Sequence, residues 1–247
     1  MRTLDSDAVA RRLSVVIPLW NQLQHTQQCV KSLLENTGAS LELVFVDDGS
    51  SDGTREWLLS KELADLAGQA RIVTHFNQAN RGVNYSWNRG LERVSGRYVA
   101  VCNNDILFAP AWDSPLLDAL DANASLGIVS PYHTFGPKTP NDWPHGAKRQ
   151  KNWQKSCPIL GCCFAFRREL IGNIGPIPEA MLHFYGDHWL AWAVQRNGLR
   201  CAYVRASYIH HYRGRSIGNT AWQEQVLSDE AVYRQLTGTH RKKWLLF

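Results

Sequence analysis

The sequence lacks any run of about 18 consecutive apolar residues, so it predicts no membrane-spanning helix. Its first segment, MRTLDSDAVARR, lacks the apolar stretch of a secretory signal peptide. The six cysteines show no CxxC spacing, which argues against a structural zinc site and against a framework of disulfide bonds. We therefore expect a cytoplasmic protein that is soluble or, at most, peripheral at a membrane.

The composition is that of an ordinary globular protein, with 44% hydrophobic and 20% charged residues in a chain of 247. The formal charge is 27 − 22 = +5. Much of this excess falls between residues 138 and 155, where the charged residues are Lys138, Asp142, Lys148, Arg149, Lys151 and Lys155. Such a stretch attracts an anionic acceptor, a phospholipid surface or nucleic acid, unless it is simply a solvated loop.

Strand and helix patterns alternate through the first half of the chain. Short β-branched runs predict strands at Leu13–Pro18, Leu41–Val46, Ile72–His75 and Tyr98–Cys102. Helical patterns fall between them, from a cap at Thr26 to about Gly38, at about Thr54–Leu66 and at Asn84–Arg93. This order predicts an α/β fold with a Rossmann-like, mostly parallel sheet flanked by helices.

The second half is less regular. We expect helices at Ala111–Asp121 and Asp187–Asn197, and strands at Ile128–Tyr132, Gly161–Arg167 and Cys201–Val204. A long loop at 133–158 separates two of these strands, and loops of that length are usually functional or disordered. No linker or repeat is evident, so residues 1–216 are expected to form one domain, with a helical extension at 217–247.

Polar or aromatic residues follow each of the four regular strands. They are Trp20 and Asn21, Asp47 and Asp48, Asn77 to Asn80, and Asn103 to Asp105. Ligands of parallel sheets bind beyond the carboxyl ends of the strands. The convergence of four such ends therefore predicts one binding site.

Individual residues at these ends suit particular chemistry, although each has a plainer interpretation. Asp47 and Asp48 can accept hydrogen bonds from a base or from ribose hydroxyls, or can form a simple turn in which Asp52 caps the next helix. Asp105 offers the oxygen ligand that Mg²⁺ or Mn²⁺ prefers, or stabilises its loop. Asp187 begins a helix, where it can be a general base or a cap.

Six segments occur in order over about residues 13–216. They read SVVIPLWNQ, ELVFVDDGSSDGT, NQANRGVNYSWNRGLERVSGRYVAVCNND, GCCFAFRRELIGNIG, FYGDHWLAWAVQRNG and IHHYRGRS. Together they resemble the inverting glycosyltransferases of family 2, which have the GT-A fold and act on nucleotide-sugar donors.

The resemblance implies a role for each candidate residue. The expected donor-binding residues are Pro18, Trp20, Asn21, Asp47, Asp48, Asn80, Gly82, Asn88, Gly90 and Asn104, with Arg213 and Arg215 placed to contact the phosphates. Asp105 stands as the last residue of the metal-binding motif, and His210 or His211 is expected to add a ligand for Mn²⁺ or Mg²⁺. Asp187 stands where the family has its catalytic base.

Two departures from the family pattern affect the expected chemistry. The metal motif reads Asn103-Asn104-Asp105, so its first carboxylate is missing, as in rhamnosyltransferase-like members. The acidic pair near the base reads Gly186-Asp187-His188-Trp189, which keeps one carboxylate. We therefore expect metal binding that the substrate completes, and an unusual set of acceptor contacts.

The implied function is transfer of a hexose or deoxyhexose, with inversion, from a UDP- or dTDP-type donor to a hydroxyl of a glycan or lipid-linked saccharide. The acceptor can be anionic, and the end RKKWLLF can contact a membrane surface. Two alternatives stay open. The same reaction on a nucleic acid is favoured by Trp143 and Trp153 within the basic stretch. A non-catalytic module that binds nucleotide sugars or glycans is favoured by the missing carboxylates.

Overall fold

The computed structural model describes residues 12–136, 159–212 and 219–239. Its strands are β1 (Arg12–Leu19), β2 (Ser40–Asp47), β3 (Arg71–Phe76), β4 (Tyr98–Cys102), β5 (Ile106–Phe108), β6 (Leu126–Phe135), β7 (Cys163–Arg167) and β8 (Arg200–His211). Its helices are α1 (Leu23–Asn36), α2 (Thr54–Leu58), α3 (Lys61–Ala67), α4 (Val83–Leu91), α5 (Ser114–Ala122), α6 (Leu170–Ile174), α7 (Gly186–Arg196) and α8 (Asn219–Thr237). The described strands join one sheet in the order β3-β2-β1-β4-β7-β6-β8-β5.

The first four strands form the parallel half of the sheet that the sequence predicts. β1 pairs in parallel with both β2 and β4, and β2 pairs in parallel with β3. Alternate side chains of β1 enter opposite faces, so Val15 and Ile17 join one apolar core while Val16 joins the other. Burial on both faces explains why these strands read as nearly continuous β-branched runs.

The other half of the sheet is mixed, and four of the seven pairings between described strands are parallel, as expected of a mostly parallel sheet. β7 lies antiparallel between β4 and β6, and β5 lies antiparallel to β8 at the edge. The connection 103–105 between β4 and β5 is too short for a crossover helix, so β5 cannot pair in parallel with its predecessor. The α/β class and the position of the first four strand ends are nevertheless confirmed.

Several predicted boundaries are wrong. Thr26 lies inside α1, where its hydroxyl donates to the carbonyl of Gln22 at 3.2 Å, and the cap comes instead from Asp52, whose Oδ2 accepts the Leu23 N–H at 2.9 Å. The helix predicted at 54–66 divides, because the Ser60 hydroxyl accepts the Leu63 N–H and begins α3. β8 continues to His211, so both histidines lie in the strand and not after it.

The boundary of the predicted long loop also changes, since residues 133–135 belong to β6. Residues 138–155, which carry the basic stretch, lie outside the described residues, as do Arg213, Arg215 and the end RKKWLLF. The division at residue 216 stays a prediction. In the part of the chain that the structure describes, no helix is long and apolar enough to cross a membrane.

Candidate functional site

Asp48 holds together the loops at the carboxyl ends of β2 and β3. Its Oδ1 accepts hydrogen bonds from Asn77 Nδ2 at 2.7 Å and from the Arg81 N–H at 2.8 Å, and its Oδ2 accepts the Gly82 N–H at 2.9 Å. The residue is only 4% exposed. Because each bond is to a charged acceptor, the loop that contains the predicted donor-binding residues is firmly fixed.

Asp47 has a different environment although it is the adjacent residue. It is fully buried, and its Oδ1 accepts the Ser50 N–H at 3.2 Å. Its Oδ2 has no hydrogen-bond partner among the described residues. A buried carboxylate oxygen without a donor is costly, and an N–H or O–H of a bound ligand would relieve that cost.

The end of β1 is tied to the turn that follows β2, and the end of β4 is tied to the start of α1. Asn21 Oδ1 accepts the Ser51 N–H at 2.8 Å, and the Asn21 N–H donates to Ser50 Oγ at 2.7 Å. Asn104 Nδ2 donates to Thr26 Oγ1 at 2.9 Å. Pro18 is buried in β1, and Trp20, 37% exposed, follows that strand with an aromatic face partly open to solvent. The predicted nucleotide-binding residues thus share one edge of the sheet.

Two other predicted donor residues attach a remote segment to this edge. Gly82 has φ of +94°, and a Cβ on it would lie 2.4 Å from the carbonyl oxygen of Leu182. Asn88 donates from Nδ2 to the Ile177 carbonyl at 2.8 Å and accepts the Ile177 N–H at 2.9 Å. These contacts position the chain at 177–182, while direct contact of Asn80, Gly82 or Asn88 with a donor stays a prediction.

Asp105 and His211 form a buried pair at the other end of the site. Their side chains are 8% and 14% exposed, and Asp105 Oδ1 lies 3.0 Å from His211 Nε2. The pairing of β5 with β8 places Ile106 opposite His211 and so fixes this contact. Burial opposes the imidazolium form, but the adjacent Cys162 and Asp105 side chains raise the pKa of His211 well above its ordinary value.

His210 points to the opposite face of β8, as strand alternation requires. Its ring nitrogens lie 2.8 Å from Thr134 Oγ1 and 3.1 Å from the Gly136 carbonyl oxygen. Burial lowers the pKa of His210. Its two nitrogens are therefore engaged in the fold, and His211 is the better candidate for a metal ligand.

The Asp105–His211 pair fits a divalent cation that a substrate completes. The two side chains are joined by a direct contact of 3.0 Å, which a cation would replace after His211 loses its proton; adjacent ligands of an octahedral ion, each at about 2.1 Å, stand a similar distance of about 3 Å apart. Within 12–136, 159–212 and 219–239, no three His, Cys, Asp or Glu side chains are placed to hold an ion. Diphosphate oxygens and water would have to supply the remaining ligands.

Asp187 lies in the first turn of α7, whose preceding residue Tyr185 has φ of +62°. Its Oδ1 accepts the His188 N–H at 2.8 Å and lies 2.9 Å from His188 Nδ1. The side chain is 23% exposed, so it is accessible without being fully solvated. Its Oδ2 lies 2.7 Å from where a Cβ on Gly161 would stand, so a side chain at residue 161 would displace this carboxylate.

The segment 161–163 brings Asp187 and the Asp105–His211 pair to one place. Gly161 packs against the carboxylate of Asp187, and Cys162 lies beside His211. The Cys162 carbonyl accepts the Asn103 N–H at 2.9 Å, which ties the segment to the end of β4. The predicted base and the predicted metal ligand therefore flank three consecutive residues.

Two structurally important residues were missed in the sequence. The sequence predicts Gly161 only as part of a strand, although a glycine in a strand pattern often marks a close approach to the backbone. Asp229 on α8 accepts backbone N–H groups of residues 182–184, and no local pattern in the sequence indicates this contact.

An α/β sheet with carboxylates after its strands has the architecture in which ligands bind beyond the carboxyl ends of the strands. The model of the Glycosyl transferase family 2 matches residues 14–175, and this chain belongs to that family. The chain is 36% identical over 222 residues to YibD, an uncharacterised glycosyltransferase of Escherichia coli K12, covering 81% of this chain and 61% of the relative. It thus spans about three-fifths of the length of that relative.

Solved glycosyltransferases share the fold. The mannosyltransferase PcManGT of Pyrobaculum calidifontis, in complex with GDP-Man and Mn²⁺, has a TM-score of 0.69 at 20% identity, over 91% of this chain and 64% of its own. GalNAc-T7 with UDP, GalNAc and Mn²⁺ has a TM-score of 0.72 at 15% identity, over 93% of this chain and 48% of its own. The expected GT-A fold is confirmed.

Proposed function

We propose that this chain is a metal-dependent, inverting glycosyltransferase that moves a hexose or deoxyhexose from a nucleoside-diphosphate sugar to an acceptor hydroxyl. The convergence of Asp187 and the Asp105–His211 pair on the segment 161–163 carries this proposal. One carboxylate is then available for the proton and one for a cation, as the reaction requires. A module that only binds sugars would need neither.

The proposed reaction is a single displacement. Asp187 accepts the proton of the acceptor hydroxyl as its oxygen forms a bond to the anomeric carbon, and the bond from that carbon to the diphosphate breaks on the opposite face. When bound, Mn²⁺ or Mg²⁺ would neutralise the charge that develops on the leaving diphosphate. Asp105 and His211 are the proposed ligands, and the N-terminus of α7 stabilises the ionised form of Asp187.

The donor end rests on the unpartnered Oδ2 of Asp47 and on the exposed Trp20. The first can accept from a base or ribose group, and the second can stack on a base. We propose a pyrimidine nucleotide, UDP or dTDP, for the donor. Of the two related structures, GalNAc-T7 contains UDP and PcManGT contains GDP-Man. For the acceptor we propose a glycan or lipid-linked saccharide on the cytoplasmic side.

A donor screen tests this function. Thermal unfolding is followed with UDP-, dTDP- and GDP-sugars, each with and without Mn²⁺, because a bound donor raises the melting temperature by mass action. The best donor is then used to compare wild-type protein with Asp187→Asn. We expect turnover to fall by at least about 100-fold while the metal-dependent thermal shift persists.

The control variant is Asp121→Asn. Asp121 lies on α5, where it pairs with Arg97 at 3.2 Å, and we expect both its turnover and its thermal shift to match wild type. Normal turnover of Asp187→Asn would reject Asp187 as the base. A chain that binds donors but transfers nothing to any hydroxyl acceptor would favour the non-catalytic module.

A further inference from the structure

Asp229 on α8 is a fully buried carboxylate outside the span of the family match. Its Oδ1 accepts the Leu182 N–H at 3.0 Å, and its Oδ2 accepts the N–H groups of His183 at 2.9 Å and Phe184 at 2.8 Å. The side chain of Gln225, one turn earlier on the helix, donates to Oδ1 at 2.7 Å. Three consecutive backbone donors thus depend on one side chain from a remote helix.

The segment that Asp229 holds leads directly to Asp187. On its other side, Asn84 Nδ2 donates to the carbonyls of Met181 at 2.9 Å and Phe184 at 3.0 Å. The segment is therefore held between the donor end of the site and α8. Residue 185 then adopts the left-handed conformation from which α7 begins.

The contact with α8 continues into the first turn of α7. The Tyr185 ring lies 5.4 Å from that of Tyr233 on α8, measured between centroids. The Trp189 N–H donates to the Tyr185 carbonyl at 2.8 Å, so the first turn containing Asp187 is closed by a bond to residue 185. Displacement of residues 182–185 would therefore be transmitted to the carboxylate of Asp187.

We propose that Asp229 is a positioning residue for Asp187, and that α8 is part of the catalytic machinery rather than an appendage. This inference rests on the proposed role of Asp187 as the base. Asp229 touches no reacting atom. It fixes the backbone from which the base projects, and a small displacement of a catalytic group can lower turnover by about 100-fold.

The test compares Asp229→Asn with Asp113→Asn. Asp113 is also buried, and it accepts the N–H groups of Gly38 at 3.1 Å and Ala39 at 2.9 Å near the amino end of β2, at the opposite edge of the sheet from the site. Both changes remove a carboxylate from a set of backbone donors. Only the first affects the segment before Asp187.

Two measurements are made on the full chain. One is release of nucleoside diphosphate from UDP-N-acetylgalactosamine and from GDP-mannose with Mn²⁺, analysed as kcat and KM. The other is hydrogen exchange of the Trp189 amide with UDP and Mn²⁺ present. For Asp229→Asn we expect kcat to fall at least about tenfold with KM within about twofold, and exchange at Trp189 to accelerate about tenfold.

Asp113→Asn is expected to lower the melting temperature similarly but to leave kcat and Trp189 exchange at wild-type values. If Asp229→Asn behaves like Asp113→Asn in both kcat and Trp189 exchange, the positioning role is rejected. If wild-type protein hydrolyses neither donor, Trp189 exchange alone serves as the test. If Asp229→Asn does not fold, Gln225→Met is compared with Asp113→Asn instead, and we expect smaller changes in kcat and in Trp189 exchange. Normal turnover of Asp187→Asn would instead reject Asp187 as the base, the role on which this inference rests, so the two failures are distinguishable.

Discussion

The nucleotide end and the chemical end of the candidate site are built in different ways. At the nucleotide end, loops that follow β1, β2 and β3 are joined by short bonds, and Asp48 alone accepts three of them. At the chemical end, Asp105, Asp187 and His211 come from three separate segments, and the segment 161–163 links them. The nucleotide end is a continuous hydrogen-bonded network, whereas the chemical end is a place where separate segments meet at 161–163.

This difference indicates how each end should respond to substitution. At the nucleotide end, residues from several strand ends would contact the donor, so removal of one side chain should weaken donor binding modestly. The chemical end has one carboxylate for each proposed task, since the family's second acidic residue is absent from both motifs. Removal of a side chain there should lower turnover far more than it affects the fold.

After Asp187→Asn, the largest effect is expected for Asp105→Asn. The substitution keeps the shape of the side chain but removes the charge that a divalent cation requires. We expect the Mn²⁺ concentration for half-maximal turnover to rise at least about tenfold, and turnover at saturating Mn²⁺ to fall about 100-fold. A titration of donor hydrolysis with Mn²⁺ measures both quantities.

His210→Gln provides the matched control, because His210 is adjacent to His211 but bonds to Thr134 and Gly136. It should lower the melting temperature without changing the Mn²⁺ titration, whereas His211→Gln should shift that titration as Asp105→Asn does. A shift caused by His210→Gln alone would overturn the assignment of His211.

A smaller effect is expected for Gly161→Ala. The backbone of Gly161 is not among the described residues with positive φ, so the effect would come from space alone. The new Cβ would stand 2.7 Å from Asp187 Oδ2, and the carboxylate would have to move. We expect kcat to fall about tenfold while donor binding is retained.

Gly172→Ala is the control for this substitution, since a Cβ at that position on α6 would have no described atom within 4 Å beyond its chain neighbours and the backbone of its own helix. Its kcat and donor binding should equal those of wild-type protein. If Gly161→Ala also leaves kcat unchanged, the packing of residue 161 against Asp187 does not affect turnover. The Asp187 carboxylate can then move without loss of activity.

The sequence predicts the nucleotide end better than the chemical end. The strands of the nucleotide end show in local sequence patterns, whereas the chemical end depends on contacts between distant segments. The bounds of β4, Tyr98–Cys102, are those predicted, since a β-branched run buried on both faces is a local signal. β5 has only three residues, too few for any periodicity, yet its pairing with β8 brings Asp105 to His211. Which of His210 and His211 lies beside Asp105 can be decided only from the register of β5 against β8.

Asp229 shows the same limit more strongly. Its partners are backbone N–H groups 45 to 47 residues earlier in the chain, and a backbone donor leaves no trace in residue type. Polar residues after regular strands can therefore be found from the sequence, whereas a carboxylate that supports a distant loop is found only in the fold.

The smallest effect is expected for Trp20→Ala, which tests the nucleotide end. Loss of a stacking face should weaken donor binding by about 1 kcal/mol, or roughly fivefold in Kd, with kcat unchanged. Trp222→Ala is the control, because Trp222 on α8 is similarly exposed, at 41% against 37%, but lies beside Phe184. Isothermal titration with the nucleoside diphosphate and Mn²⁺ gives both Kd values. Equal weakening by the two substitutions would mean that Trp20 makes no specific contact, and the base would then have to be recognised by the Asp47 carboxylate without stacking.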